Sequence, residues 1–196
     1  MAMLSSGPGI LIGTQAMEIK GHKLDGVEQI DCPNADARAD GEISLIVIHN
    51  ISLPAGHFGN RFVERLFCNQ LEATEHADFV DLCDLRVSSH LLIHRDGSIV
   101  QFVPFDKRAW HAGESVFRNR SDCNDFSVGI ELEGTDYSAF QNIQYQVLAE
   151  VCQLLMSRYE LPECNIVGHS EIAPGRKTDP GPLFDWDKFR KMRRTV

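Results

Sequence analysis

The chain has 196 residues and a formal net charge of −9, and its composition of 43% hydrophobic and 24% charged residues is typical of a globular protein. One domain of this length buries roughly 70% of the surface of its unfolded chain, so its core needs neither disulfides nor a structural metal. Because net negative charge repels phosphate backbones and no run approaches ~20 apolar residues, we expect no nucleic-acid partner and no membrane span.

The start of the chain is uncharged and rich in small residues. Residues 1–17 are interpreted as a flexible leader that precedes a single domain over residues 18–196. A secretory signal would carry a positively charged region there, and the six cysteines form no CxxC pair. These features favour reduced thiols and a cytoplasmic protein, and nothing in the sequence indicates an obligate protein partner.

The first part of the domain predicts one strand and one helix between polar segments. Residues 18–43 are polar and turn-rich and predict an irregular arm. Residues 44–48 form a short apolar, β-branched run, which predicts a buried strand, and apolar spacing predicts a helix over 60–69. The acidic segment 70–86 is long enough to suggest a functional loop.

A hairpin is predicted in the middle of the chain. Residues 88–95 and 98–104 flank Asp96-Gly97, a pair that favours the positive φ angles of a type I′ turn. His90 and His94 alternate onto one face of the first strand, within reach of a shared metal, but the hairpin favours a pair on the sheet surface. A second long loop follows over 105–124.

The second half of the chain alternates strands and helices. Residues 126–133 alternate as a strand, 142–159 have helical periodicity, and 165–167 form another short strand. The loop 170–183 precedes a terminal helix that begins near Asp185. Strands interleaved with helices, with a hairpin in the middle, predict an α/β domain whose mixed sheet is flanked by helices.

Two histidines follow short buried strands in the same way. His49 ends the run LIVIH and His169 ends the run NIVGH, and ligands collect at the carboxyl ends of parallel strands. Either histidine alone could simply cap backbone groups. Asp179 lies ten residues after His169 and is restricted by Pro180. Two histidines and one aspartate form the three-ligand set of a catalytic zinc site, so we expect one Zn²⁺ per chain.

Two further groups are candidates for chemistry near such a metal. Glu131 and Glu133 share the polar face of an otherwise apolar strand, where a carboxylate is costly unless it is paired or functional. One of them could serve as a general base, although either could also face solvent. Lys177 precedes Asp179 by two residues and could be an ordinary solvated lysine.

Four stretches of the sequence resemble one known family. They are IVIHNISLP, LRVSSHLLIHRDGSIVQFVPFDKRAWHAGES, CNDFSVGIELEGTD and GHSEIAPGRKTDPGPLFDW. In this order they are similar to the type 2 N-acetylmuramoyl-L-alanine amidases of the peptidoglycan-recognition superfamily, over about residues 31–190. The resemblance is closest to the family members that act in cytoplasmic cell-wall recycling.

The resemblance implies a function and a role for individual residues. It implies a zinc hydrolase with an anhydro-muropeptide substrate, which cleaves the amide between the lactyl group of 1,6-anhydro-N-acetylmuramic acid and L-alanine. It also implies the family's mixed sheet flanked by helices. The positions that match family residues are His49, His169 and Asp179 for zinc, Glu131 for the catalytic acid/base, Lys177 for the transition-state stabiliser, and Asn50 and Arg86 for substrate contacts.

Two other functions remain open at this point. Some relatives keep the fold, lack a zinc ligand and only bind muropeptides, but this chain has all three matching ligands as well as Glu131 and Lys177. The other alternative is an extracytoplasmic amidase that acts on intact cell wall.

Overall fold

The computed structural model describes residues 17–195, so the predicted leader lies outside the described residues except for Met17. The strands are β1 (Ile19–Lys20), β2 (Lys23–Leu24), β3 (Glu28–Gln29), β4 (Ala35–Ala37), β5 (Leu45–Ile51), β6 (Leu91–Ile93), β7 (Ile99–Gln101), β8 (Lys107–Ala109), β9 (Val116–Phe117), β10 (Arg120–Ser121), β11 (Ser127–Glu133) and β12 (Ile166–Gly168). The α-helices are α1 (Phe62–Phe67), α2 (Asn142–Tyr159), α3 (His169–Ile172) and α4 (Trp186–Arg193). Single 3₁₀ turns cover Ala77–Phe79, Cys123–Asp125 and Glu163–Asn165.

A mixed sheet in the order β12-β5-β11-β6-β7-β3 organises residues 17–195. Strands β12, β5, β11 and β6 are parallel to one another, whereas β7 runs antiparallel to β6. This arrangement confirms the predicted α/β class and mixed sheet. Because β5 and β12 are parallel neighbours, their carboxyl ends lie at the same edge.

The sheet separates two apolar layers. On one face, alternate residues of β5 and β11 such as Ile48 and Ile130 pack with Leu148 and Val151 of α2 and with Phe189 of α4. Burial of this kind stabilises by roughly 25 cal/mol for each Å² of apolar surface. The opposite face is covered by α1, α3 and the 105–124 loop. The odd-numbered residues of β5 and β11 point toward this second layer.

Defined caps terminate the two helices behind the sheet. Gln144 of α2 accepts a hydrogen bond from the backbone N–H of Gln141, and its side-chain amide donates to the carbonyls of Ile93 and Glu133. Helix α2 ends at Tyr159 and is followed by the C-cap residue Glu160, whose φ of 55° is left-handed. Asp185 caps α4 through the N–H of Lys188. The contacts of Gln144 attach α2 to the ends of two strands.

The arm over 18–43 is more ordered than its polar sequence suggests. Strands β1 and β2 pair with each other, β4 pairs with β8, and β3 pairs with β7 as the edge of the central sheet. The prediction of an irregular arm was therefore wrong in part. Strands of only two or three residues are too short for hydrophobic alternation to be recognised, and their partners supply the stabilisation.

The predicted hairpin exists, but its turn type was wrong. Gly97 has a φ of 87°, whereas Asp96 is not among the residues with positive φ. The N–H of Gly97 donates to the carbonyl of His94, and the N–H of His94 donates to that of Ser98. This is a type I turn followed by a left-handed glycine, and it forms a bulge in place of a type I′ turn.

The interpretation of His90 and His94 as a surface pair was also wrong. His90 is wholly buried, and its Nδ1 accepts a hydrogen bond from the N–H of Gly129. His94 is largely buried between two carboxylates. The 105–124 loop and α1 cover this face of the sheet, which alternation within one strand does not reveal. Among residues 17–195, no helix combines the length and apolarity that crossing a bilayer requires.

Candidate metal site and active-site cleft

His49, His169 and Glu131 are brought together by strand pairing. In the register of β5 and β11, His49 lies opposite Glu131. In the register of β5 and β12, Ile48 lies opposite Gly168, so His169 follows directly beside His49. Both histidines are only 2% exposed and Glu131 is 8% exposed. Buried polar groups of this kind must be paired or functional.

Asp179 completes a compact triangle of side-chain atoms with the two histidines. The distances between His49 Nδ1, His169 Nδ1 and Asp179 Oδ2 are 3.0 Å for each of the three pairs. The backbone carbonyl of Asp179 accepts a hydrogen bond from the N–H of Ser170, which ties the 170–183 loop to α3. The structure therefore places the three residues predicted as metal ligands at one point.

The protonation of these groups suits a cation. Burial lowers the pKa of His49 to about 4, so its imidazole is neutral at neutral pH. The neutral imidazole of His49 thus offers a lone pair to a metal ion rather than a competing positive charge.

A backbone carbonyl determines which nitrogen of His169 carries hydrogen. His169 Nε2 lies 3.0 Å from the carbonyl oxygen of Ala112, which can only accept a hydrogen bond. Nε2 therefore carries the proton, and Nδ1 presents a lone pair to the carboxylate oxygen of Asp179. Two acceptors held 3.0 Å apart repel each other unless a cation lies between them. Four-coordinate zinc separates its ligand atoms by about 3.3 Å, so the donor set fits such an ion.

Glu131 faces the same site with an unpaired oxygen. Its Oε2 is buried and has no hydrogen-bond partner within the described part of the chain. Burial, followed by the negative charge of Asp179, raises the pKa of Glu131 well above its ordinary value, while Lys177 acts in the opposite direction. A carboxyl group of this kind is suited to accept and release a proton.

These groups line a cleft of about 290 Å³, here called the site cleft. Its polar end contains His49, His169, Asp179, Glu131 and Lys177. The remaining walls are mainly apolar and come from α1, the loops before and after it, and Trp110; they include Leu53, Leu66, Phe67, Leu82, Leu85 and Val87. The site cleft can therefore hold a ligand that is partly apolar, with its polar part against the candidate metal ligands.

A second groove of about 570 Å³ adjoins the site cleft and shares Asn50, Ile51, Lys177 and Asp179 with it. Asn50 Nδ2 donates to Asp136 Oδ1 at 2.7 Å. Arg86, by contrast, is exposed on the 70–86 loop and donates to the carbonyls of Cys83 and Leu85. The structure thus brings Asn50 to the site, while Arg86 lies outside the residues that line it.

Sequence reasoning assigned no role to several residues around the site. His111 contacts His49, Ala112 contacts His169, and Trp110 lines the site cleft. All three lie in the 105–124 loop, whose polar sequence indicates only a loop. A usable signal was Gly129, since a glycine inside a buried strand often marks the close approach of another group.

Comparisons with known proteins agree with this geometry. Residues 39–182 match the Amidase_2 family model, described as N-acetylmuramoyl-L-alanine amidase. The chain is 52% identical over 170 residues to the 1,6-anhydro-N-acetylmuramyl-L-alanine amidase AmpD of Escherichia coli (strain K12), which covers 86% of this chain and 93% of that protein.

Solved structures of relatives have the same fold. A crystal structure of a selenomethionine derivative of AmpD superimposes with a TM-score of 0.88 at 50% identity, and the match covers 90% of this chain and 99% of that one. The amidase AmiD of E. coli, in complex with the substrate anhydro-N-acetylmuramic acid-L-Ala-D-gamma-Glu-L-Lys, gives a TM-score of 0.57 at 28% identity and covers 91% of this chain and 66% of that one. The chain therefore belongs to the N-acetylmuramoyl-L-alanine amidase family.

Proposed function

We propose that this protein is a zinc-dependent amidase that hydrolyses the bond between the lactyl group of 1,6-anhydro-N-acetylmuramic acid and L-alanine. The observation that carries the proposal is the triangle of His49, His169 and Asp179 beside a buried glutamate with an unpaired oxygen. The names of the relatives and the anhydro-muropeptide bound to AmiD support this substrate.

His49, His169 and Asp179 would hold one zinc ion per chain. Two nitrogens and one carboxylate oxygen, with a position left for water or substrate, are typical of catalytic rather than structural zinc. When bound there, zinc supplies Lewis acidity, which lowers the pKa of water and polarises a carbonyl oxygen.

Glu131 is the proton carrier in this proposal. It accepts a proton from the attacking water as the new C–O bond forms at the amide carbonyl. It then delivers that proton to the nitrogen of L-alanine as the C–N bond breaks. The buried carboxyl, with its raised pKa, is suited to both steps, since efficient acid–base groups titrate near the working pH.

Lys177, Asn50 and Arg86 act on the substrate. Lys177 lines both the site cleft and the adjoining groove, and its ammonium group stabilises the negative charge that develops on the carbonyl oxygen. Asn50 offers its amide to the substrate where the two cavities meet. Arg86 does not line the site cleft itself, but it follows Leu85, which does, and its exposed guanidinium would bind a carboxylate of the stem peptide.

The proposal includes action in the cytoplasm on fragments released during cell-wall recycling. All six cysteines, which lie within the described residues, are free thiols, and this supports a reducing compartment. No specific observation favours a muropeptide-binding module, because the complete set of ligands and the acid–base group are present.

Mass spectrometry of the reaction products tests this function. The purified protein is incubated separately with anhydro-muropeptides, with ordinary muropeptides and with intact sacculi. We expect release of the peptide chiefly from the anhydro-muropeptide, and one zinc per chain by elemental analysis. His169→Ala should lose both the zinc and the activity.

Three outcomes would each contradict one part of the proposal: the compartment, the catalytic activity or the zinc ligands. Equal cleavage of intact sacculi would indicate an extracytoplasmic amidase. Tight binding of the anhydro-muropeptide without cleavage by the zinc-loaded protein would indicate a binding module. Full zinc content in His169→Ala would refute the ligand set.

A further inference from the structure

His111 connects the metal site to the interior of the sheet. Its Nδ1 lies 2.9 Å from His49 Nε2, and its Nε2 lies 3.1 Å from the hydroxyl oxygen of Ser127. The Ser127 hydroxyl in turn donates to the carbonyl oxygen of Cys123 at 2.5 Å. These contacts form one continuous chain of hydrogen bonds that ends at a backbone carbonyl.

The direction of every hydrogen bond in this chain follows from its last member. A carbonyl oxygen only accepts, so the single hydrogen of the Ser127 hydroxyl points to Cys123 and its oxygen accepts from His111 Nε2. Neutral His111 then has a bare Nδ1, which accepts from His49 Nε2. His49 therefore carries its hydrogen on Nε2 and presents the lone pair of Nδ1 to His169 and Asp179.

Gly129 makes room for this chain. Ser127, Gly129 and Glu131 lie on the same face of β11, and the His111 ring lies close against Gly129. A Cβ at position 129 would lie 2.4 Å from Cγ and 2.7 Å from Nδ1 of the His111 ring. Glycine weakens a strand interior, and its presence here is explained by the imidazole that occupies the space of a side chain.

The backbone around His111 is also held firmly. The N–H groups of His111 and Ala112 both donate to Asn124 Oδ1, at 3.0 and 2.8 Å. The ring is thus fixed from its own backbone, from the Gly129 surface below it and from its two ring nitrogens. Such fixed outer contacts orient metal-ligating imidazoles in general.

We propose that His111 is a positioning residue that holds His49 in the tautomer able to bind metal through Nδ1, with Ser127 setting the hydrogen-bond direction and Gly129 providing the space. This inference rests on the proposed function in taking zinc as the metal. His111 itself contacts neither the metal nor the substrate in this role.

The first test measures zinc affinity by competition with a chelator, with folding checked by circular dichroism. His111→Leu removes both ring nitrogens and should weaken zinc binding by about 10- to 100-fold, the usual effect of losing an outer contact. Gly129→Ala keeps His111 but displaces its ring and should weaken zinc binding about 10-fold. Ser127→Ala should have an effect in the same direction.

Two further variants separate this role from general packing. In His111→Gln the amide oxygen can accept from His49 while the amide nitrogen donates to Ser127, so this variant should regain most of the zinc affinity. Ser89 is also wholly buried, but its hydroxyl has no hydrogen-bond partner among residues 17–195. Ser89→Ala should therefore bind zinc like the unmodified protein.

The second test reads the tautomer directly in the unmodified, metal-free protein by ¹⁵N NMR of the imidazole rings. We expect hydrogen on Nε2 of both His49 and His111. A His49 ring with hydrogen on Nδ1, or unchanged zinc affinity in folded His111→Leu, would overturn the proposal. Failure of the unmodified protein to bind zinc would refute the proposed metal, whereas the tautomer measurement would still decide the role of His111.

Discussion

Glu131 and Glu133 project from the same face of β11 but meet different surroundings. The Glu131 carboxyl lies in the site cleft with the three proposed metal ligands, and its Oε2 has no partner in the described chain. Glu133 is fully engaged, since Oε1 accepts from the N–H of Gly59 at 2.6 Å and Oε2 from that of Arg95 at 3.1 Å. Of the two glutamates, only Glu131 therefore has an oxygen without a partner for the proton transfer that we propose.

We expect substitution of Glu131 to affect activity and substitution of Glu133 to affect stability. Glu131→Ala should lower kcat by at least ~10²-fold, the scale of a positioned acid–base group, while its zinc content stays unchanged. Glu133→Ala should leave the turnover of folded molecules near normal. It should lower the stability of the fold, because the N–H groups of Gly59 and Arg95 lose their hydrogen-bond acceptors. Steady-state kinetics, elemental analysis and thermal unfolding on both variants provide the check. Near-normal turnover in Glu131→Ala would assign the proton transfer to another group.

At the scale of elements, an ionic cluster joins α1 to the ends of β6 and β11. His94 lies 3.4 Å from Glu64 of α1 and 3.5 Å from Glu133, and Arg61 lies 3.0 Å from Glu64. Hydrogen bonding to Glu133 and then to Glu64 raises the pKa of His94 to about 9. The imidazole is therefore positively charged at neutral pH, and its charge lies next to the carboxylates of Glu64 and Glu133.

This cluster predicts a specific dependence of stability on pH. The pKa of His94 is higher in the folded protein than the ~6.5 of an unfolded histidine. Its stabilisation is therefore complete below about pH 6.5 and is lost as the pH rises through 9, with a magnitude on the order of 2 kcal/mol. Urea unfolding between pH 6 and pH 10 measures this effect.

His94→Gln should remove most of that pH dependence, whereas the same substitution at the exposed His57 should retain it. Equal slopes for these two variants would show that His94 is not the titrating group. Activity per folded molecule should change little in either variant, because His94 lines a separate cavity of about 720 Å³ rather than the site cleft.

At the scale of the whole molecule, α4 closes the core on the face of the sheet that lies away from the site. Phe189 is 2% exposed, and its ring lies 6.0 Å from that of Phe184 and 6.1 Å from that of Trp186. Glu163 pairs with the buried Arg193 near the end of the helix. Helix α4 therefore stabilises the core, and none of its residues lines the site cleft.

Phe189→Ala should consequently lower the free energy of unfolding by about 3–5 kcal/mol, the cost of a large buried cavity. Its kcat and zinc content should stay normal below the unfolding temperature. Leu183→Ala serves as the control, because Leu183 is 47% exposed and should cost little. A stability loss in Leu183→Ala equal to that in Phe189→Ala would contradict this account of α4.

Much of the fold could be predicted because its signals are local. The apolar run of β5, the alternation of β11 and the periodicity of α2 each fit within one short window, and the predicted helix over 142–159 agrees with α2. The short polar strands of the arm could not be recognised, since their pairing partners lie far away in the chain. Asp96-Gly97 marked the hairpin correctly, but the bulge depends on how β6 and β7 twist together.

The sequence by itself determined the α/β class, the two histidines that follow buried strands, and the aspartate confined by a proline. These features could be predicted because apolar runs and proline determine the backbone conformation of the residues next to them. Only the tertiary structure decided that His49 and His169, 120 positions apart, bring their Nδ1 atoms within 3.0 Å. It also decided that Glu131 rather than Glu133 is unpaired and that His111 fills the space above Gly129. These outcomes depend on strand register and on which loop covers the sheet, and both arise from contacts between distant parts of the chain.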